Sequence, residues 1–334
     1  MRVVHTLHQN VESWSERMER VGCNLCGSLR LRTVYEKPDE LYPSSELFRV
    51  VECRDCGLGF VDPRPTVQEM SRYYPGSYYE DFRIQQAYHR TRYAREAQYL
   101  ARLSKKHRSP VLLDVGCANG DFPRFMKERG WLVEGVEVSV DSEPITDFPV
   151  YSVPFPDIPS GAPRYNAVTA WAVLEHVHDP KAYFLKAAEV LQPGGLFVFL
   201  VTNFRSLSSR SLFQEDVPRH LYFFTEPTVR RYLRLAGLDF ERADYSNDIY
   251  SMRPENWLHY YTRSLIGVPW GWPPPDTYRK FVAAKGLARG WRSVLKFTLS
   301  SPLSVLDRLL LPVVERYQQL AGTYGIVTYV ARKP

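Results

Sequence analysis

Four of the five cysteines stand in two short repeats, CNLCG at 23–27 and CRDCG at 53–57. Each Cys-x-x-Cys lets two thiolates reach one ion from a single turn, and two such knuckles complete a tetrahedral set. The 26 residues between Cys26 and Cys53 are enough for a hairpin that folds back on itself. The expected chemistry is a structural Zn2+ held by Cys23, Cys26, Cys53 and Cys56, with no open position for catalysis. Redox dithiols are the other use of this spacing. Gly27 and Gly57, each directly after a second cysteine, suit the tight turn that aims backbone amides at thiolates. Cys117 stands far from both pairs and is expected as a free thiol.

A second group of residues surrounds a glycine loop. Asp114 precedes Gly116 by two, and the run reads D-x-G-x-A-x-G through Gly120. Small residues at 116, 118 and 120 let the backbone approach a ligand at a helix amino terminus. Glu137 lies twenty-one residues beyond Gly116, where a carboxylate at the end of the second strand accepts both hydroxyls of a ribose. Candidate proton acceptors fall where loops leave the carboxyl ends of later strands: Glu175 and His176 in LEHVHDP, and His220 with Tyr222 in DVPRHLYFFT. His220 is the first choice as base, because imidazole titrates near neutral pH and its loop is placed to cover the reacting group. Arg219 is placed either to pair with a substrate phosphate or to stand as a lone surface arginine without a role.

These residues need a frame, and the chain supplies one in pieces. Residues 1–62 read as a zinc-binding unit and 63–109 as a helical connector. In the connector DPRPT opens a helix, YYPGSYY follows, and a mixed-charge helix runs from about Arg83 to Lys106. Tyr73, Tyr74, Tyr78 and Tyr79 form either an acceptor wall or packing between the units. From 110 to 246 short apolar runs alternate with amphipathic helices: VLLDV, WLVEGVEV, NAVTAW and GLFVFLV as strands, with helices capped by Asp179 and Thr225. That alternation predicts an α/β fold with a doubly wound parallel sheet. Prolines at 149, 154, 156, 159 and 163 leave room only for a very short helix and for a third strand that is short or at an edge. Residues 247–321, with WLHYY and WGWPPP, read as a helical insert before the last strand at 322–334.

Taken with LEHVHDP and LQPGG at 191–195, the loop and Glu137 resemble the class I S-adenosylmethionine-dependent methyltransferases. The front of the chain, with two CxxCG knuckles, a V-x-P-x-P segment and a YY pair, is similar to the zinc-containing methyltransferases of sugar and glycan biosynthesis. The resemblance implies that Gly116, Ala118 and Gly120 hold the methionine part of S-adenosylmethionine and that Asp114 orients its amine. It also implies that Glu137 holds the ribose and that Trp171 lines the methionine side. Ala118 replaces the commonest middle glycine, and Asn166 stands where an Asp usually opens the fourth strand. No acid directly follows the third strand, so Phe155 and Asp157 become the adenine neighbours.

The expected activity is methyl transfer to a hydroxyl or carbon of a saccharide: a nucleotide sugar, a glycan or a lipid-linked sugar. An RNA methyltransferase with a zinc ribbon is the enzyme alternative, disfavoured because AWAVLEH lacks the NPPY-type turn and no basic stripe stands out. A non-catalytic zinc-ribbon binding protein is the alternative from another class, and a nicotinamide enzyme ranks third. Of 334 residues, 44% are hydrophobic and 24% charged, and 43 basic against 37 acidic residues give a net charge of +6. Such a composition builds a sizeable core and excludes wholesale disorder. The amino terminus lacks a signal-peptide pattern and no run reaches the 18 or so apolar residues of a membrane span, so the expectation is a cytoplasmic protein. A basic amphipathic face over 280–314, with Lys280, Lys285, Arg289, Arg292 and Lys296, is suited either to peripheral membrane contact or to burial against the core.

Overall fold

The computed structural model describes residues 17–39, 46–74, 86–138, 145–162, 164–206, 216–246 and 302–334. The expectations for Tyr78, Tyr79, Pro163, WLHYY, WGWPPP and the five basic residues from Lys280 to Lys296 lie outside them.

The cysteine-bearing unit is a small antiparallel sheet. β1 (Met18–Glu19) precedes the first knuckle, β2 (Leu31–Pro38) and β3 (Leu47–Cys53) form the long hairpin between knuckles, and β4 (Gly59–Val61) returns along β3. DPRPT does not open a helix. Arg64–Pro65 forms β5, which pairs with β1, and a single 3-10 turn follows at Met70–Tyr73. Two residues at a sheet edge tolerate a proline, which has no N–H to donate. The connector helix breaks into α1 (Gln86–Gln98) and α2 (Ala101–Lys106), and the break turns Tyr99 and Leu100 into the core.

The larger sheet begins with β6 (Val111–Val115), followed by α3 (Asp121–Lys127), β7 (Leu132–Val136) and β8 (Val150–Tyr151). Then come β9 (Tyr165–Trp171), α4 (Pro180–Val190), β10 (Leu191–Thr202), β11 (Tyr222–Phe223), α5 (Glu226–Leu235), β12 (Asp239–Asp244), α6 (Pro302–Ala321) and β13 (Ile326–Arg332). Seven strands assemble in the order β12-β13-β10-β9-β6-β7-β8, with β8 two residues long at the edge where the prolines left room for it. The sheet is mixed, not wholly parallel, because β13 runs antiparallel to both β10 and β12. Asp244 at the end of β12 pairs with Thr328 near the start of β13. A chain that leaves the sheet and re-enters at the same end must run backwards through it.

Tertiary packing joins the two sheets. β11, which follows His220, pairs with β4 and completes the order β11-β4-β3-β2. Cys23, Leu25, Cys53, Leu58 and Phe60 share one core with Leu113, Phe184, Tyr222 and Tyr232. Asn24, inside the first knuckle, donates to the N-cap Asp179 (2.8 Å) and accepts from Lys181 N–H and Tyr232 OH (3.1 and 2.9 Å). The knuckle thereby takes up a free amide at the start of α4.

Arg219 is fully buried and not available to a substrate, which overturns the phosphate-partner role and the lone surface position alike. Its guanidinium forks onto Asp39 at 2.7 and 2.8 Å and reaches Asp216 at 2.5 Å and the Tyr73 carbonyl at 2.9 Å. Arg219→Met should cost about 3–5 kcal/mol, since it leaves a buried carboxylate without its counter-charge. Urea unfolding of the variant is the check, and a change within about 0.5 kcal/mol would contradict the pairing.

No helix among the described residues is long and apolar enough to cross a membrane. α6 turns Leu306, Leu309, Val313, Tyr317 and Leu320 outward at three- and four-residue spacing.

Candidate active site

The glycine loop connects the carboxyl end of β6 to α3. Gly116 and Gly120 take left-handed backbone at φ +69° and +82°, and Ala118 does the same at φ 49°. A side chain at Gly116 would sit 2.6 Å from Val173, so glycine is required there by packing as well as by turn geometry. Ala118 occupies a conformation that costs an L-residue roughly 1 kcal/mol or more, and the loop is tied down around it. Gly116 and Cys117 both donate to the Val136 carbonyl (2.8 and 3.1 Å), and Ala118 N–H donates to a Glu137 carboxylate oxygen (2.8 Å). Glu137, directly beyond β7, is thus held at the loop's open side. Cys117 is a buried free thiol, and its burial pushes its pKa up.

Asp114 lies beneath this loop, buried, and accepts from Thr169 Oγ1 at 2.6 Å. Desolvation pushes its carboxyl up to about 8, and the neighbouring Glu96 adds to the shift. Trp171 ends β9 on the same face, wedged between Tyr99 and Phe122 with centroid distances of 6.3 and 5.5 Å. Its buried indole N–H has no hydrogen-bond partner among the described residues. A positive-φ loop, a carboxylate at its side and an unused buried donor below it suit a nucleoside ligand with a polar tail. Phe155 is buried against Tyr183 at 5.6 Å, while Asp157 beside it is exposed.

Across the loop, the turn after β9 brings the candidate bases together. Val173 touches Gly116, and His176 N–H donates to the Val173 carbonyl (2.9 Å). The His176 and His220 rings meet edge to face with centroids 4.6 Å apart, although 43 residues separate them. A Glu175 carboxylate oxygen and a nitrogen of each ring all lie within 4.8 Å of one another. His176 Nδ1 lies 2.8 Å from the Tyr74 hydroxyl and 3.1 Å from the Arg219 carbonyl. Desolvation, then the charge of His220, pushes the His176 imidazole down to about 3, so it stays neutral at ordinary pH. The backbone locks the pair: Leu221 and Tyr222 N–H both donate to the Glu175 carbonyl at 2.7 and 3.1 Å. Tyr222 itself is buried on the other side, bonded to Arg64 (2.8 Å) and the His178 carbonyl (3.1 Å). The structure brings Glu175, His176 and His220 together and turns Tyr222 away from them.

The four knuckle cysteines also converge, with Cys23 and Cys56 sulfurs 3.3 Å apart, Cys26 and Cys53 3.6 Å apart, and all four within 4.8 Å. Tetrahedral thiolates at the usual Zn–S length lie about 3.8 Å from each other, so the donor set fits such an ion. None of the cysteines is in a disulfide. Neighbouring thiols and burial push the Cys56 pKa up in the metal-free cluster, so an ion binding there must displace protons. Beside the cluster, Arg30, Arg32, Arg54 and Arg231 line a groove of about 590 Å3. Arg30 and Arg32 are paired there with Asp55 and Glu52.

Two residues of this site carry no signal in the sequence. Arg92 and Glu96 stand unmarked in the mixed-charge stretch of the connector, yet both face inward from α1. Asn24 was equally invisible as a helix cap.

Fold and site together define a Rossmann-like α/β protein that binds a nucleoside cofactor at the carboxyl end of its first large-sheet strand. Residues 87–243 match the methyltransferase domain family. The ubiquinone biosynthesis O-methyltransferase of Xanthomonas euvesicatoria pv. vesicatoria is 30% identical over 169 residues, which cover 44% of this chain and 67% of that protein. That of Cereibacter sphaeroides is 29% identical over 147 residues, covering 38% and 60%. The chain spans 60%, 42% and 41% of the length of three such curated relatives. Among solved structures, the 1,6-didemethyltoxoflavin-N1-methyltransferase of Burkholderia thailandensis is 21% identical with a TM-score of 0.41, over 57% of this chain and 88% of that one. The chain belongs to the class I S-adenosylmethionine-dependent methyltransferases.

Proposed function

We propose that the protein transfers a methyl group from S-adenosylmethionine to a hydroxyl of a saccharide acceptor, with His220 as the base and a structural Zn2+ in the knuckles. The observation that carries this reading is the meeting of His176 and His220 beside the glycine loop, with Val173 bridging the two. S-adenosylmethionine, when bound, supplies an electrophilic methyl on a good leaving group. The protein's own part is then to orient the acceptor and remove its proton. Glu137 holds the ribose and the Gly116–Gly120 backbone the methionine part. His220 takes the acceptor proton, and His176, neutral and fixed by Tyr74, keeps the His220 ring in place.

The saccharide reading is supported by the cysteine-bearing front of the chain and by β11, which makes the His220 loop part of the same small sheet. The relatives are named for O-methyl transfer in ubiquinone biosynthesis, which supports a hydroxyl as acceptor and favours a second reading, an acceptor from that pathway. Among the described residues, the arginine-lined groove beside the knuckles favours an RNA acceptor. A lipid-linked acceptor would be met at a membrane surface, where the outward apolar residues of α6 are suited to lie.

One screen tests these readings: transfer of labelled methyl to nucleotide sugars, glycan fragments, lipid-linked sugars, hydroxylated quinone precursors and RNA. Label in a saccharide is the expected result. Label confined to quinone precursors or RNA would replace the acceptor, and no transfer to any of them would remove the activity.

Glu137→Ala should weaken S-adenosylmethionine binding by roughly 1–3 kcal/mol, the cost of losing a charged acceptor for buried hydroxyls. It also frees the Ala118 N–H. Calorimetry reads the loss, and unchanged affinity would mean that the ribose lies elsewhere.

A further inference from the structure

The turn that carries His220 also carries a carboxylate that the proposed transfer leaves unused. Residues 216–220 close one α-turn, in which His220 N–H donates to the Asp216 carbonyl at 2.7 Å. In the same turn the Arg219 carbonyl lies 3.1 Å from His176 Nδ1, so both imidazoles are tied to this short piece of chain. The Asp216 side chain is 24% exposed, and Arg219 Nε donates to both of its carboxylate oxygens, at 2.9 and 3.0 Å. Buried Asp39, just past β2, forks the same guanidinium at 2.7 and 2.8 Å.

Two carboxylates thus share one cation. Arg219 fixes the Asp216 carboxylate, while Asp39 answers the charge of Arg219 and leaves that of Asp216 to act on its other neighbours. Those neighbours are the two histidines. Desolvation works to raise the Asp216 carboxyl, but the Arg219 bonds outweigh it and, with the charges of His220 and His176, hold it below the ordinary carboxylate range. A fixed anion therefore faces both rings at ordinary pH.

When His220 takes the proton of an acceptor hydroxyl, the O–CH3 bond forms, the S–CH3 bond breaks, and an imidazolium appears in a half-buried place. A charge formed away from bulk water is costly unless an opposite charge is already held there. We propose that Asp216 is the positioning residue of the base: its bonds to Arg219 fix the His220 turn, and its charge stabilises the imidazolium that proton transfer creates. This rests on the reading of His220 as the base and supplies that base with its counter-charge.

The titratable and charged groups around His220 are Glu175 and His176 from the turn after β9, Tyr74 behind His176, Asp216 and Arg219 from its own turn, and Asp39 beyond Arg219. His176 stays neutral, the carboxylates favour a charged His220, and Arg219 opposes them. Removal of the Asp216 charge should therefore favour neutral imidazole and move the acid limb of the pH–rate profile to lower pH.

Asp216→Asn preserves the shape of the side chain, and Asp39 still holds Arg219. In this variant the limb should move down by about one pH unit and turnover above it should fall about 10- to 100-fold, with S-adenosylmethionine affinity within about two-fold by calorimetry. Asp216→Glu keeps the charge and should bring the limb back to within about 0.3 unit of wild type. NMR titration of the His220 ring without acceptor should show the same downward shift in Asp216→Asn. A fall in turnover with an unmoved limb and an unmoved His220 titration overturns the proposal, and the base reading then stands as long as His220→Ala is inactive. Turnover retained in His220→Ala overturns the base reading and the proposal with it. Where Asp216→Asn fails to fold, His220→Ala tests the pair from the other side. Charge coupling is reciprocal, so the Asp216 carboxyl should titrate about one unit higher without the imidazolium, and an unchanged carboxyl overturns the proposal.

Discussion

His220→Ala should lower turnover by about 10²–10⁴ while S-adenosylmethionine affinity stays within about two-fold. The expectation follows from geometry: His220 is half-buried at the mouth of the site, and its neighbour His176 is already engaged with Tyr74 and the Arg219 carbonyl. The acid limb of the pH–rate profile, where the base is protonated, should vanish in the variant. His176 contributes no such limb at ordinary pH, because its imidazole is held down at about 3. His176→Ala should therefore cost less, through loss of the support behind His220. A larger loss at His176 would transfer the base to the Glu175–His176 pair. Activity within a few-fold in both variants would mean that the acceptor arrives ionised or that alignment alone is sufficient.

The purified protein should carry one Zn2+ per chain, and Cys53→Ser should abolish it. The structural consequence is large because the knuckles are not an appendage. Cys23 and Cys53 are buried in the core that contains Phe184 and Tyr232, and Asn24 caps α4. Structural zinc in small folded peptides is worth on the order of 10–16 kcal/mol of binding free energy near neutral pH. Loss of even a third of that should lower the thermal midpoint by about 5–8 °C. Elemental analysis and calorimetric melting of wild type and variant give the answer. A folded, metal-free wild type with the same midpoint, or a disulfide joining the knuckles, would defeat the expectation.

Metal removal should also reach the base. β11 joins the small sheet two residues after His220, so unravelling β4 releases the strand that holds the His220 loop. Turnover should then fall with zinc occupancy more steeply than cofactor affinity does, since the glycine loop lies on the other sheet.

The features legible without coordinates are those whose causes are local. Two CxxCG spacings state a four-sulfur set, because ligand geometry is decided within each turn. The D-x-G-x-A-x-G run and Glu137 mark a loop and a strand end, since backbone conformation depends on the residues that adopt it. Asp179 and Thr225 announced their helices by the same logic. Five prolines before β9 foretold a stunted third strand, because proline removes a ladder donor wherever it stands.

What only the tertiary structure decided depends on partners far away in the chain. Arg219 looked free for a phosphate until Asp39, 180 residues earlier, enclosed it. Glu96 was one charge among many in a mixed-charge helix until α1 turned it toward Asp114. β13 looked parallel until the chain's point of re-entry reversed it. Tyr222 was grouped with His220 by proximity in sequence, but its hydroxyl is drawn to Arg64 and the His178 carbonyl, partners far from it in the chain. Burial and pairing are properties of the folded ensemble of contacts, and no window of residues contains both members of a long-range pair. The sequence therefore determined which chemical groups this protein possesses, and the fold decided which of them face a ligand and which face each other.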